Sequence, residues 1–96
     1  MRPSEVLPIY RDTIRQLVVE AGMENPRVLG SVLHGDDIEG SDLDILVDPA
    51  PKTSLMDLAG LQIRIEKASG IRVDVLTPGG LPPKYRDEVL HEAQPV

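Results

Sequence analysis

The chain has 96 residues, 41% hydrophobic and 27% charged, with two Tyr and no Cys, Trp or Phe; this length allows one domain, expected over residues 1–96, and one modest core of Leu, Ile, Val and Ala. Without Cys there is neither a disulfide framework nor a thiolate zinc site. Sixteen acidic residues against ten basic give a net charge of −6, which argues against direct nucleic-acid binding, a task that takes a basic footprint.

In chain order, residues 3–22 read as a helix. Val6, Ile9, Tyr10, Ile14, Leu17, Val18 and Ala21 fall on one face at helical spacing, and Gly22 is a natural stop. Ser4 is a candidate N-cap. Pro8 is awkward inside a helix, so the regular helix is expected to start near it. Val28 to Leu33 reads as a short apolar strand that contains a Gly-Ser pair. Residues 34–41 are polar and turn-rich. Residues 42–48 read as a second strand, with Leu43, Ile45 and Val47 on one face and Asp42, Asp44 and Leu46 on the other.

Pro49-Ala50-Pro51 ends that strand. Residues 54–69 read as a helix with a core stripe of Leu55, Leu58, Leu61, Ile65 and Ala68, and Gly70 stops it. Ile71 to Leu76 is a third strand, Pro78-Gly79-Gly80 a turn, and Lys84 to about His91 a last short helix. The order is α-β-β-α-β-α: an α+β (α/β) fold with a small mixed sheet of three strands, or slightly more, flanked by helices. No apolar run is long enough to span a membrane. Met1-Arg2-Pro3-Ser4-Glu5 lacks the apolar stretch of a signal peptide, and a cytoplasmic location is expected.

The informative stretch runs from Gly30 to Asp48. It holds Gly30-Ser31, ten intervening residues, and then Asp42-x-Asp44; a later strand supplies Asp74. Alternate strand residues share a face, so Asp42 and Asp44 point the same way with Cα atoms roughly 6.6 Å apart. Paired carboxylates on a buried sheet repel and resist desolvation. Solvent exposure, protonation or a divalent cation can offset that, and hard oxygen ligands suit Mg2+ or Mn2+. The helix of 54–69 is long enough for a parallel crossover. If the second and third strands are neighbours, Asp74 joins the pair. Three such carboxylates can hold two divalent ions, the arrangement for in-line displacement at phosphorus. A Gly-Ser pair at a strand end lets a phosphate approach the backbone.

Other motifs fail on their own spacing. Gly30 to Gly35 has P-loop spacing, but Asp36-Asp37 stands where Lys-Ser/Thr is required. An EF-hand from Asp42 meets Leu46 at its fifth position, and one from Asp36 meets Ile38 at its third. Bland readings exist for each residue too. Asp42 and Asp44 can be the wet face of an edge strand, Asp74 the partner of Arg72 or Lys67, and Ser31 a turn residue. His34 can be a loop residue or a substrate contact. Asp36, Asp37 and Glu39 read as a solvated turn, and His91 as a surface residue.

Together these residues resemble the DNA polymerase β-like nucleotidyltransferase superfamily. The text from Gly30-Ser31-Val32-Leu33-His34-Gly35 through Ser41-Asp42-Leu43-Asp44-Ile45-Leu46-Val47 is similar to its minimal nucleotidyltransferase (MNT) branch, MntA-like antitoxins included. The resemblance spans about residues 26–93. It implies that Gly30 and Ser31 bind phosphate, with His34 and Ser41 beside the nucleotide. It implies that Asp42, Asp44 and Asp74 are the catalytic, metal-binding carboxylates, and that Asp74 helps activate the attacking hydroxyl. Members move a nucleoside monophosphate from an NTP to a hydroxyl and release pyrophosphate. The implied cofactors are two Mg2+ ions, or Mn2+, with ATP or another NTP as substrate. The implied partner is a HEPN-domain protein, in some pairs adenylylated on a tyrosine. Two positions depart from many relatives: His34 stands for Arg, and Leu29 for an aromatic residue. A chain this short leaves no separate acceptor-binding domain, so a partner chain or a self-dimer is expected to complete the site. The alternative is a binding module that neutralises its partner by contact, without turnover.

Overall fold

A computed structural model describes all 96 residues. Helix α1 (Pro3–Glu20) opens the chain. It starts at residue 3, as the apolar spacing indicates, and runs regularly through Pro8 rather than beginning near it. The proline ring already holds a helical φ, and the loss of one backbone donor is offset by the burial of Val6 and Leu7 beside it. Ser4 is not the N-cap. Arg2 occupies that position with Pro3 next, and the Ser4 N–H donates instead to the Asp37 carboxylate at 2.8 Å. Ile9, assigned to the apolar face, is 61% exposed, whereas Ile14 and Val18 are buried.

Strand β1 (Glu24–Leu29) follows, with an irregularity between Glu24 and Arg27 where Asn25 takes a positive φ. The strand expected over 28–33 thus begins earlier, at Glu24, and ends earlier, at Leu29. Gly30 adopts φ 78 and ψ −148, and Ser31–His34 form the one-turn helix α2. Strand β2 (Leu43–Asp48) pairs antiparallel with β1. Helix α3 (Leu55–Ser69) starts on a capping box, in which the Ser54 and Asp57 side chains each accept the other's backbone N–H. It carries the chain back to β3 (Val73–Leu76), which lies parallel to β2. After a 3-10 turn at Pro78–Gly80 come α4 (Arg86–Glu92), two residues later than expected, and a two-residue strand β4 (Gln94–Pro95).

The sheet order is β3-β2-β1-β4. The sheet is mixed, as expected, with one strand more than the sequence pattern marks. Strand β4 escapes that pattern because it is two residues long and contains a proline. It is fixed by pairing with Arg27 and Val28 and by burial of the next residue, Val96. The Arg15 guanidinium donates to the Val96 carbonyl and ties this end to α1.

Helices α1 and α3 pack over one face of the sheet. Ile14, Val18, Leu61 and Ile65 meet Leu43, Ile45, Val47, Val73 and Val75 in a single core. That burial fixes the register of β2 and β3, because a one-residue slip would turn every apolar side chain outward. It also forces the intervening Asp44 and Asp74 onto the opposite face. Leu46 shares their alternation yet is fully buried, so that face is wet only at its Asp44 end. The outer edge of β3 is closed by α3: the Val73 N–H donates to Glu66 Oε2 at 3.0 Å and the Val75 N–H to Gln62 Oε1 at 3.2 Å.

Candidate active site

The site forms where three strands meet at one end of the sheet. Asp44 is paired across β2 and β3 with Asp74, and across β2 and β1 with Leu29. Neighbouring strands lie about 4.8 Å apart. Asp74 therefore stands directly beside Asp44, and Gly30, the residue after Leu29, lies on the other flank. Asp42 sits one residue before β2, in the loop from α2.

The electrostatics follow from this placement. Asp44 is half-buried, and its pKa is pushed up to about 6, first by loss of solvent and then by the Asp74 and Asp42 carboxylates. Asp42 and Asp74 are exposed. Asp74 forms no ion pair with Arg72 or Lys67, so the bland assignment for it does not hold. The three side chains flank one region without closing into a finished metal-ligand set. Their chemistry fits a divalent cation. All donors are hard carboxylate oxygens, and the field that resists ionisation of Asp44 is the field a cation would relieve.

Gly30 touches this cluster directly. A Cβ built on it would overlap Oδ2 of Asp44 and lie 3.4 Å from its Cγ. Its positive φ also disfavours any side chain. The absence of a side chain lets the backbone at the start of α2 come up against the carboxylate, with Ser31 as the first helical residue.

His34 and Ser41 are placed differently. His34 ends α2, and its Nε2 lies 3.4 Å from Glu92 Oε2 on α4. Sequence reasoning missed Glu92 because the pairing depends on β4 docking beside β1. The Ser41 hydroxyl accepts the Ile38 N–H at 2.9 Å, and the Ser41 N–H donates to the Ile38 carbonyl at 3.0 Å. Those bonds shape the loop that delivers Asp42. Asp37, assigned to a solvated turn, is 4% exposed. The Ser4 backbone N–H that it accepts holds its carboxyl below the usual carboxylate range. The signal in the sequence was an acidic residue free to reach the N-terminus of α1.

A mixed sheet with three acidic residues and a Gly-Ser turn at one end, backed by two helices, is the architecture of the nucleotidyltransferases. Residues 12–96 match the nucleotidyltransferase domain family. A Methanocaldococcus jannaschii protein provisionally named a protein adenylyltransferase is 35% identical over 77 residues, covering 80% of this chain and 83% of that protein. The protein adenylyltransferase MntA of Thermococcus cleftensis is 33% identical over 87 residues, covering 91% and 85%. Among solved structures, one described as a minimal nucleotidyltransferase aligns with TM-score 0.86 and 39% identity, over 97% of this chain and 95% of that one. A chain of an MntA-HepT toxin-antitoxin structure aligns with TM-score 0.69 and 16% identity, over 92% of this chain and 69% of that one, a likeness of fold. The chain belongs to the nucleotidyltransferase domain family, in its minimal branch, and is a nucleotidyltransferase.

Proposed function

We propose that the chain transfers AMP from ATP to a hydroxyl of a partner protein, a tyrosine of a HEPN-domain toxin, and so acts as its antitoxin. The observation that carries the reading is the Asp42, Asp44 and Asp74 cluster set against Gly30. Relatives named protein adenylyltransferase, and the fold shared with an MntA-HepT complex, support the choice of nucleotide and partner.

Asp42, Asp44 and Asp74 are the residues that would hold Mg2+ or Mn2+, expected as two ions, whose charge offsets the carboxylates and the phosphates when bound. Gly30 and Ser31 give the triphosphate a close approach to backbone N–H groups and a hydroxyl. Asp74, exposed on β3, takes the proton of the acceptor hydroxyl or orients it. The scaffold holds these groups in place before substrate arrives, and positioning is most of what phosphoryl transfer asks of a protein. His34, at the end of the turn that Ser31 begins, is expected beside the nucleotide, with its Nε2 toward Glu92. Ser41 contributes through the loop geometry of Asp42. No helix of the structure is long and apolar enough to cross a membrane.

The test is mass spectrometry of the chain incubated with Mg2+, mixed NTPs and the HEPN-domain partner, with Asp44→Asn alongside. An AMP adduct on the partner with the unmodified chain only is the expected result. A stable complex with no adduct in either sample replaces this reading by neutralisation through contact.

A further inference from the structure

Gly30 and Asp74 flank Asp44 from opposite sides, one at the end of β1 and the other on β3. In-line displacement at phosphorus puts the nucleophile and the leaving group on opposite sides of the reacting atom. With pyrophosphate leaving toward Gly30-Ser31, the acceptor must arrive from the β3 side. An open cleft of about 250 Å3 lies where the chain enters β2 and β3, between Glu39–Ser41 and Gly70–Arg72. One wall leads directly into Asp42 and the other, two residues on, into Asp74. The Leu43 N–H donates to the Arg72 carbonyl at 2.9 Å and ties the two walls together.

Arg72 gives the cleft its chemistry. It is exposed and belongs to no ion pair, whereas Arg27 is held by Asp48 and the amino group of Met1, also in the cleft wall, by Glu39. It lies two residues before Asp74, immediately ahead of β3, and its carbonyl already accepts from Leu43 of β2, so its Cα stands roughly 6–7 Å from that of Asp74. A guanidinium free of protein partners, one strand step from the candidate base, is a docking point for a planar carboxylate.

We infer that this cleft receives the acceptor, and that the acceptor is a peptide segment whose hydroxyl-bearing residue is flanked by an acidic side chain docked on Arg72. The inference rests on the adenylyl-transfer reading above. The hydroxyl oxygen forms a bond to the α-phosphorus of ATP. The bond from that phosphorus to the α,β-bridging oxygen breaks, pyrophosphate departs with the electron pair, and the hydroxyl proton passes to Asp74.

The experiment uses the full chain with Mg-ATP and tyrosine peptides that carry either Glu or Lys beside the tyrosine. The Glu peptide is expected to be adenylylated with about tenfold higher kcat/KM than the Lys peptide. Arg72→Glu reverses the order, and Arg72→Lys keeps it in weaker form. The KM for ATP stays the same in all three proteins, which also shows that the variants are folded. Equal use of the two peptides, or a preference that survives Arg72→Glu, overturns the cleft assignment and leaves adenylyl transfer standing. Transfer to the end of an oligoribonucleotide but to no peptide overturns it in favour of a nucleic-acid acceptor. No transfer to any acceptor removes the transferase reading, and the cleft assignment with it.

Discussion

Gly30 and Asp44 are packed so closely that a single methyl group on Gly30 would overlap the Asp44 carboxylate. The contact joins the phosphate-approach turn to the central acid of the cluster across the β1-β2 pairing. Gly30→Ala therefore meets two penalties, the overlap and a backbone conformation with φ 78 and ψ −148 that only glycine adopts readily. The expected loss is about 1–3 kcal/mol of stability in a denaturant titration, from the backbone strain, with transfer reduced at least tenfold. In an Asp44→Ala background the same glycine change should cost less, because the overlap is gone; a strictly additive double mutant would separate the two residues.

Asp44 predicts a pH dependence with a definite sign. Its folded pKa of about 6 lies above the ordinary 3.8, so the folded state binds its proton more tightly than the unfolded chain does. The favourable contribution is complete below about pH 4 and is lost as pH rises through 6. Asp44→Asn removes this titration. In EDTA, the Tm of the variant relative to the unmodified chain should rise between pH 4 and 7. Added Mg2+ should recover stability above pH 6 in the unmodified chain and do so less in Asp44→Asn, which should also lose transfer. Parallel melting curves across that range would contradict the assignment.

Most of the fold was legible because β2, β3 and α3 obey simple periods. Leu43, Ile45 and Val47 alternate, Val73 and Val75 alternate, and Leu61 and Ile65 stand one turn apart, all in the core. Asp44 and Asp74 were readable as a pair for the same reason: an acid between buried residues has to face the other side. What stayed hidden depended on distant contacts. The Ser4 N–H found its acceptor 33 residues away in Asp37. His34 found Glu92 only because a two-residue strand docks on β1. The end of β1 was misread because Val32 and Leu33 continue an apolar run, while the conformation of Gly30 breaks the strand. Leu46 shares the alternation of the acids and is buried, so alternation alone gave its face the wrong solvent exposure.

Asp37 predicts an acid-side effect opposite in sign to that of Asp44. Its carboxyl is held below 3.8, chiefly by the Ser4 N–H. The stabilisation is therefore present at neutral pH and is lost only as pH falls below the usual carboxylate range. Asp37→Ala should lower Tm at pH 7, where the amino end of α1 loses its acceptor. Asp37→Asn should retain much of it, since the amide oxygen still accepts. The difference between Asp37→Ala and the unmodified chain should shrink toward pH 3. A gap that is constant with pH would assign the effect to packing.

The stripe of α3 divides between core and surface, and mutagenesis should separate the two parts. Leu61 and Ile65 are 1% and 0% exposed, whereas Leu55 and Met56 in the first turn are each 84% exposed. The helix crosses the sheet with its middle, so its first turn projects beyond the edge of the core. Leu61→Ala and Ile65→Ala should each cost about 2–5 kcal/mol, from lost transfer energy and the cavity left behind. Leu55→Ala and Met56→Ala should stay within about 0.5 kcal/mol of the unmodified chain. Denaturant midpoints with an unchanged m-value would check all four. Either core variant also tests the site at a distance. Leu61 and Ile65 hold β3 on α3, so a slackened contact there should weaken the Asp44–Asp74 register and lower transfer. The Leu55 and Met56 variants should leave transfer alone.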